Sequence, residues 1–240
     1  MILNETPIES NHRGLISKGS LGELFVQATL SCCFLIDDVI RTTGQTSSTP
    51  SQMVSDLGAR IINMAGGGGR AISCGYWSLA THALRDLVET GQLLELFEAM
   101  PSKATEWSQT DPMKRHGAFG FSKVKGDLEK HRGKSEFWQE RFSIYSNLGS
   151  HPSRESLTFN LTPRGKMVGP TFNEGRFKLW LRALAGDTMV TTRQFVRAFD
   201  ATSGQAPLSV QRRFLHATVE GFHNLTEPIT ESDLSLYWVP

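Results

Sequence analysis

No stretch of this chain reaches the ~18–20 consecutive apolar residues that a membrane-spanning helix needs. The N-terminal run MILNETPIESNHRGLISKG carries acidic and polar residues where a secretory signal places a basic head and an apolar core. Charge of one sign is missing as well. The 25 Lys and Arg residues meet 24 Asp and Glu for a formal net charge of +1, so no global field draws the protein to nucleic acid and only a local patch can. Cysteine is scarce: Cys32, Cys33 and Cys74 form no CxxC or CxxH spacing. An odd count without a framework predicts reduced thiols and a cytosolic protein. Together with the histidine spacings it predicts no metal site and no cofactor. A GxSxG nucleophile turn is absent too.

What is present is ordinary globular material, 39% hydrophobic and 20% charged over 240 residues, enough chain for one sizeable core. The clearest pattern runs Gly75 to Phe97. Tyr76, Ala80, Ala83, Leu84, Leu87, Gly91 and Leu94 recur at three- and four-residue steps and define one stripe of a helix. Ser78, His82, Arg85, Glu89 and Gln92 fall on the other side. Arg85 and Glu89 can meet at i,i+4, but basic-before-acidic is the weaker order for helix support. That leaves two readings open, a solvated ion pair or the wall of a cleft formed with a later segment.

Residues 1–19 read as irregular. Ser20-Leu21-Gly22-Glu23 is a capping box that opens a helix to about Arg41, with Leu21, Leu24, Phe25, Ala28 and Cys32 inward. Asp37-Asp38 within it lacks the further carboxylates of a diphosphate-magnesium site. A polar loop over Thr42–Ser51 and a helix over Gln52–Ala65 follow. Gly66–Gly69 and Arg70 lack the Lys-Ser/Thr and the buried strand of a phosphate loop and read as a flexible joint. Beyond Pro101 the signals weaken, but Lys114-Arg115-His116 and Lys123 to Lys134 make this the most basic region. A helix from Ser135 puts Trp138, Phe142, Tyr145 and Leu148 on one face and closes at Gly149. Ser150-His151-Pro152-Ser153 then carries an imidazole on a proline-stiffened turn. His151 is either a capping histidine or a positioned acid–base group. Leu157–Val168 fits a short hairpin. Asn173 caps a helix that Gly186 and Val190-Thr191-Thr192 should interrupt or weaken. A helix over Ser209–Phe222 and a capping box at Thr230–Asp233 complete the chain.

Gly75-Tyr76, the ALRDLVET run holding Arg85 and Glu89, and Tyr145-Ser146 followed by Ser150-His151-Pro152-Ser153 resemble a group of bacterial all-helical proteins. That group has a "GY..A..LLR..LE" helix and a "Y..LS...HPS" helix end. More distantly it resembles the HEPN superfamily, four- to five-helix bundles, often dimeric, of toxin–antitoxin and phage-defence systems. Active HEPN members are metal-independent ribonucleases with a closely spaced Arg and His. This chain departs from that pattern: nine residues separate Arg141 from His151, and three and two separate Arg212 and Arg213 from His216.

The expectation is an all-α bundle of about seven helices with a small hairpin at 157–168. It forms a single domain over 1–240, with an irregular segment at 1–19, the bundle at 20–225 and a tail at 226–240. The resemblance implies a helical protein of bacterial defence or toxin–antitoxin type, acting as a non-enzymatic interaction or regulatory module. The alternative is a HEPN-like protein directed at nucleic acid or nucleotides, including a non-classical ribonuclease. Its partners would be a protein or a second copy of the chain, or RNA or a nucleotide, with no membrane. In a catalytic site Arg85 would hold a phosphate, Glu89 would orient it and His151 would be the acid or base. His82, Tyr145, Ser146 and Ser153 would contact the ligand. Arg85 and His151 should then be neighbours. In the non-enzymatic reading Arg85, Glu89, Tyr145 and His151 form an internal network that fixes the packing.

Overall fold

The α3–α4 junction brings two long helices side by side. Helix α3 (Thr49–Cys74) stops because Gly75 takes a left-handed φ of +78°, a conformation that glycine adopts without steric cost. Tyr76 N–H then donates to Ala71 C=O at 2.8 Å and Gly75 N–H to Ile72 C=O at 3.1 Å. These are the two bonds of a Schellman motif. Helix α4 (Trp77–Ala99) starts at once and runs back along α3.

The structure is a computed structural model and describes residues 5–17, 19–43, 49–133, 136–150, 161–162, 165–166 and 169–203. The remaining elements are α1 (Glu5–Gly14), α2 (Leu21–Thr43), α5 (Ser102–Gln109), α6 (Pro112–Phe119), α7 (Phe121–Arg132) and α8 (Phe137–Tyr145). A π-helical turn (Ser146–Ser150) continues α8, and α9 (Glu174–Ser203) is the longest helix among the described residues. Leu161–Thr162 (β1) pairs antiparallel with Gly165–Lys166 (β2), a two-residue ladder inside the expected hairpin span. The fold is all-α, and no described helix is long and apolar enough to cross a membrane. All three cysteines are free thiols, and burial pushes Cys32 up to about 12.

Helix α4 is the hub. It packs against α3, α7, α8, the π-turn and α9, and Ala80, Leu84, Leu87, Val88, Leu94 and Phe97 on it are fully buried. Each such Leu or Phe contributes about 1.5–3 kcal/mol by leaving water. Its small residues let neighbours approach. A Cβ on Gly91 would collide with the Trp138 ring, so the indole lies directly on the α4 backbone. Trp138 is held there by its Nε1–H, which donates to Glu95 at 2.5 Å. Gly91→Leu should therefore displace the ring and lower stability by about 1–3 kcal/mol, the usual cost of overpacking. A melting temperature equal to that of the parent would show that the contact is loose.

Several expectations are corrected. Residues 1–19 are not irregular throughout, since Glu5–Gly14 form α1. Gly66–Gly69 are no joint: they lie inside α3, where a Cβ on Gly68 would stand 3.1 Å from both Ala83 and Leu184. Close helix packing offsets the poor helix propensity of glycine there. Helix α9 is not broken at Gly186 or at its β-branched run. Thr188, Thr191 and Thr192 are buried, with Thr192 Oγ1–H donating to Thr188 C=O at 2.7 Å and Thr191 Oγ1–H to Leu87 C=O at 3.2 Å. Tertiary burial overrides propensity. Leu21 and Leu24 are exposed rather than inward. The Ser20 cap forms, with Glu23 N–H donating to Ser20 Oγ at 3.1 Å, and the Glu23 carboxylate reaches back one residue beyond it, accepting from Gly19 N–H. The helix expected over 209–222 and the tail lie outside the described residues.

His12 joins three elements. It is fully buried, stacked on Phe177 with centroids 4.7 Å apart and edge-on to Trp77. Its Nδ1 lies 3.0 Å from Ser73 C=O, and its Nε2 accepts from Asn173 N–H at 3.3 Å. This assigns the neutral Nδ1–H tautomer, and a proton on Nε2 would face another donor. Burial lowers the His12 pKa below 6.5. The unfolded chain consequently binds the proton more readily, and stability should fall as pH drops below about 6.5 towards the lower folded value. Melting curves from pH 7.5 to 5 should show this loss, and His12→Gln should flatten it.

Candidate functional site

Helices α3 and α4 form one wall of a cleft of about 790 Å³, and the α5–α7 arm with Phe142 of α8 forms the other. That volume lies within the ordinary range for ligand sites. Helix α6 has no buried residue and contributes Arg115, His116, Gly117 and Phe119 to the lining. Asp111 caps it, its Oδ1 accepting from Met113 N–H at 2.8 Å, with Pro112 at the first helical position. This is a favoured start for a short helix.

The bundle wall presents ion pairs. Arg60 makes a two-pronged bond to Asp86, one prong at 2.7 Å. Arg85 Nη2 lies 3.0 Å from Glu89 Oε1, and the guanidinium sits 4.7 Å from the Phe142 centroid. Phe142 in turn stacks on Phe121 at 3.9 Å. The arm wall differs. Arg115 donates from Nε to Thr110 C=O at 3.0 Å and from Nη2 to Ser108 C=O at 3.3 Å, with its Cζ 4.6 Å over the Trp107 ring. Among the described residues no carboxylate pairs with it. Two neutral carbonyls and an indole face thus orient a full positive charge without cancelling it. His116 and Lys123 line the same wall, Lys123 standing 3.6 Å from Asp127. Chemically the cleft offers flat aromatic faces, one uncompensated guanidinium and two carboxylates, Asp56 and Glu89.

Of the residues expected from the sequence, Arg85 and Glu89 share this cleft. His82 is exposed on α4 and does not line it. Tyr145 and Ser146 are in the core instead. The Tyr145 hydroxyl donates to Asp187 Oδ2 at 2.5 Å and Arg141 pairs with Asp187 Oδ1. Among the described residues the buried Ser146 Oγ has no partner. Burial pushes the Asp187 carboxyl up while Arg141 pulls it back, and burial raises Tyr145 well above the usual phenol range. An internal network therefore exists, but Arg141, Tyr145 and Asp187 make it, not Arg85 and Glu89. His151 and Ser153 lie outside the described residues. The register leading to them is visible: Trp138 faces Gly91, Phe142 faces Arg85, and a Cβ on Gly149 would stand 2.8 Å from Thr81 Cβ. Helix α8 thus runs antiparallel to α4.

Trp107 and Arg115 are legible in the sequence only as parts of a weak helix and a basic cluster. Their pairing spans eight positions across the α5–α6 turn, and no helical period signals it. No family model, curated protein or solved structure matches this chain. Fold and cleft define an all-α helical-bundle protein with an aromatic, mixed-charge site.

Proposed function

We propose that the protein is a non-enzymatic helical binding module directed at nucleic acid or nucleotides, with the α3–α8 cleft as its site. The observation that carries this reading is Arg115, an oriented guanidinium with no counter-ion among the described residues, stacked on Trp107 in an open cleft. Guanidinium groups of this kind favour phosphate. Aromatic faces beside a cationic groove are what unpaired bases stack on. The resemblance of the two sequence stretches to bacterial helical proteins and, more distantly, to HEPN bundles points the same way and implies a defence or toxin–antitoxin setting.

The cleft departs from the sequence expectation in one useful way. Sequence pattern gives the phosphate to Arg85, but that side chain is engaged by Glu89 and Phe142. Arg115 takes that role here, and Arg85 shapes the wall. The test is titration of the full chain with a short single-stranded RNA at several salt concentrations. Affinity should fall linearly on a log–log plot with a slope near −0.7 for each phosphate neutralised. No binding at low salt of either the strand or a mononucleotide, or strand binding indifferent to salt, would refute the reading.

A further inference from the structure

A cleft that only held phosphate would gain nothing from acidic groups, because a carboxylate beside the ligand repels it. Yet the bundle wall brings Asp56 and Glu89 to the same space that Arg115, His116 and Lys123 face from the arm. Neither carboxylate is fully used. Glu89 receives Arg85 on Oε1 at 3.0 Å, and Asp56 receives Gln52 Nε2–H on Oδ1 at 3.1 Å. An ionised carboxylate has about four acceptor positions. Among the described residues Arg85 takes one of them on Glu89 Oε1, so both Glu89 oxygens can still accept from a ligand. Glu89 is the better placed of the two. It projects from the hub helix, and Arg85, itself held over Phe142, fixes one of its oxygens. The acceptor is thus oriented before any ligand arrives, in a cleft whose lining also holds the Trp107 and Phe121 rings.

The ligand that satisfies both walls is planar, anionic at one end and rich in hydrogen-bond donors at the other. Among nucleotides the base decides how well that works. The Watson–Crick edge of guanine carries N1–H and N2–H side by side, a parallel pair that matches the two oxygens of one carboxylate. Cytosine and adenine offer one exocyclic amine next to a ring-nitrogen acceptor, which opposes the second oxygen. Uracil offers a single N3–H between two carbonyls, so a carboxylate meets repulsion on either side. The same group that attracts guanine therefore rejects uracil, and specificity comes from both effects.

We infer that the cleft recognises guanine in an unpaired guanosine phosphate, Glu89 accepting from the base's N1–H and N2–H and Arg115 donating to the phosphate. This rests on the nucleotide-directed reading above, and it adds the base. Duplex nucleic acid is disfavoured, because pairing hides that edge and stacking hides the face. The shared chemistry has two sources, a free guanine nucleotide or a guanine exposed in a single strand.

Calorimetric titration of the full chain separates the outcomes. The probes are GMP, AMP, CMP, UMP, a uridine pentamer and the same pentamer with one central guanine. GMP should bind about tenfold or more tighter than UMP, the worth of one good bidentate base contact, with AMP and CMP between. Glu89→Gln should remove that preference by weakening GMP, while circular dichroism and the melting temperature stay near those of the parent. Glu89→Asp should keep part of the preference. If GMP matches the guanine pentamer, the free nucleotide is a sufficient ligand. If only the pentamer binds, and binds better with guanine than without, the strand is the source. Equal affinity for GMP and UMP, or a preference that survives Glu89→Gln, overturns the base assignment and leaves the nucleotide reading standing. No binding of any nucleotide or pentamer overturns both.

Discussion

The Asp187→Ala variant should melt far below the parent protein, with about 3–5 kcal/mol of stability lost. Asp187 is fully buried on α9 and accepts from both Arg141 and the Tyr145 hydroxyl on α8. Removing it leaves Arg141, whose side chain is only 14% exposed, without its counter-charge, and orphans a buried phenol as well. The penalty arises from the two stranded polar groups more than from the missing bonds themselves. A loss of this size is a large fraction of the ~5–15 kcal/mol that holds a domain together. Changing Arg141 to Met and Asp187 to Leu together should recover part of the loss, because no stranded charge remains while the buried Tyr145 hydroxyl still lacks its acceptor. Urea denaturation of the single and double variants decides the matter. A single variant within ~1 kcal/mol of the parent would mean that water reaches the pair and the network is not a packing device.

The second large effect belongs to the cleft. Arg115→Ala should weaken nucleotide binding by about ten- to a hundredfold, the range for a hydrogen-bonded charged group removed from its partner. The fold should survive, because Arg115 sits on a helix with no buried residues. Arg115→Lys is the sharper experiment. A lysine keeps the charge but cannot hold two carbonyls, cover the indole and still present a planar fork, so most of the loss should persist. Full retention of affinity in the lysine variant would mean that the site uses charge alone.

How much of this can be read from sequence follows from the range of each interaction. Helix α4 is legible because its stripe from Tyr76 to Leu94 is a local period, and the Ser20–Glu23 cap because it is a local exchange of hydrogen bonds. The continuity of α3 through four glycines is not, since it depends on Ala83 and Leu184 arriving from other helices. The same holds for α9, whose threonines are stabilised by burial and by Leu87 on α4. In the site, the i,i+4 pair Arg85–Glu89 is visible for the same local reason. The sequence marks Tyr145 as a polar group with a structural task but points it to the wrong cluster, because its partner Asp187 lies 42 positions away. Nothing in the sequence announces that Arg115 folds back over Trp107.

Tryptophan emission tests directly whether nucleotides bind against the Arg115–Trp107 face. The chain has five tryptophans, of which Trp107 alone is among the described residues lining the cleft. GMP should quench emission of the wild-type protein in a saturable manner. In Trp107→Phe, which keeps an aromatic face for stacking, calorimetry should still detect binding while the quench disappears. A quench that persists in Trp107→Phe, or calorimetric binding without any quench in the wild type, would place the ligand elsewhere and contradict the account.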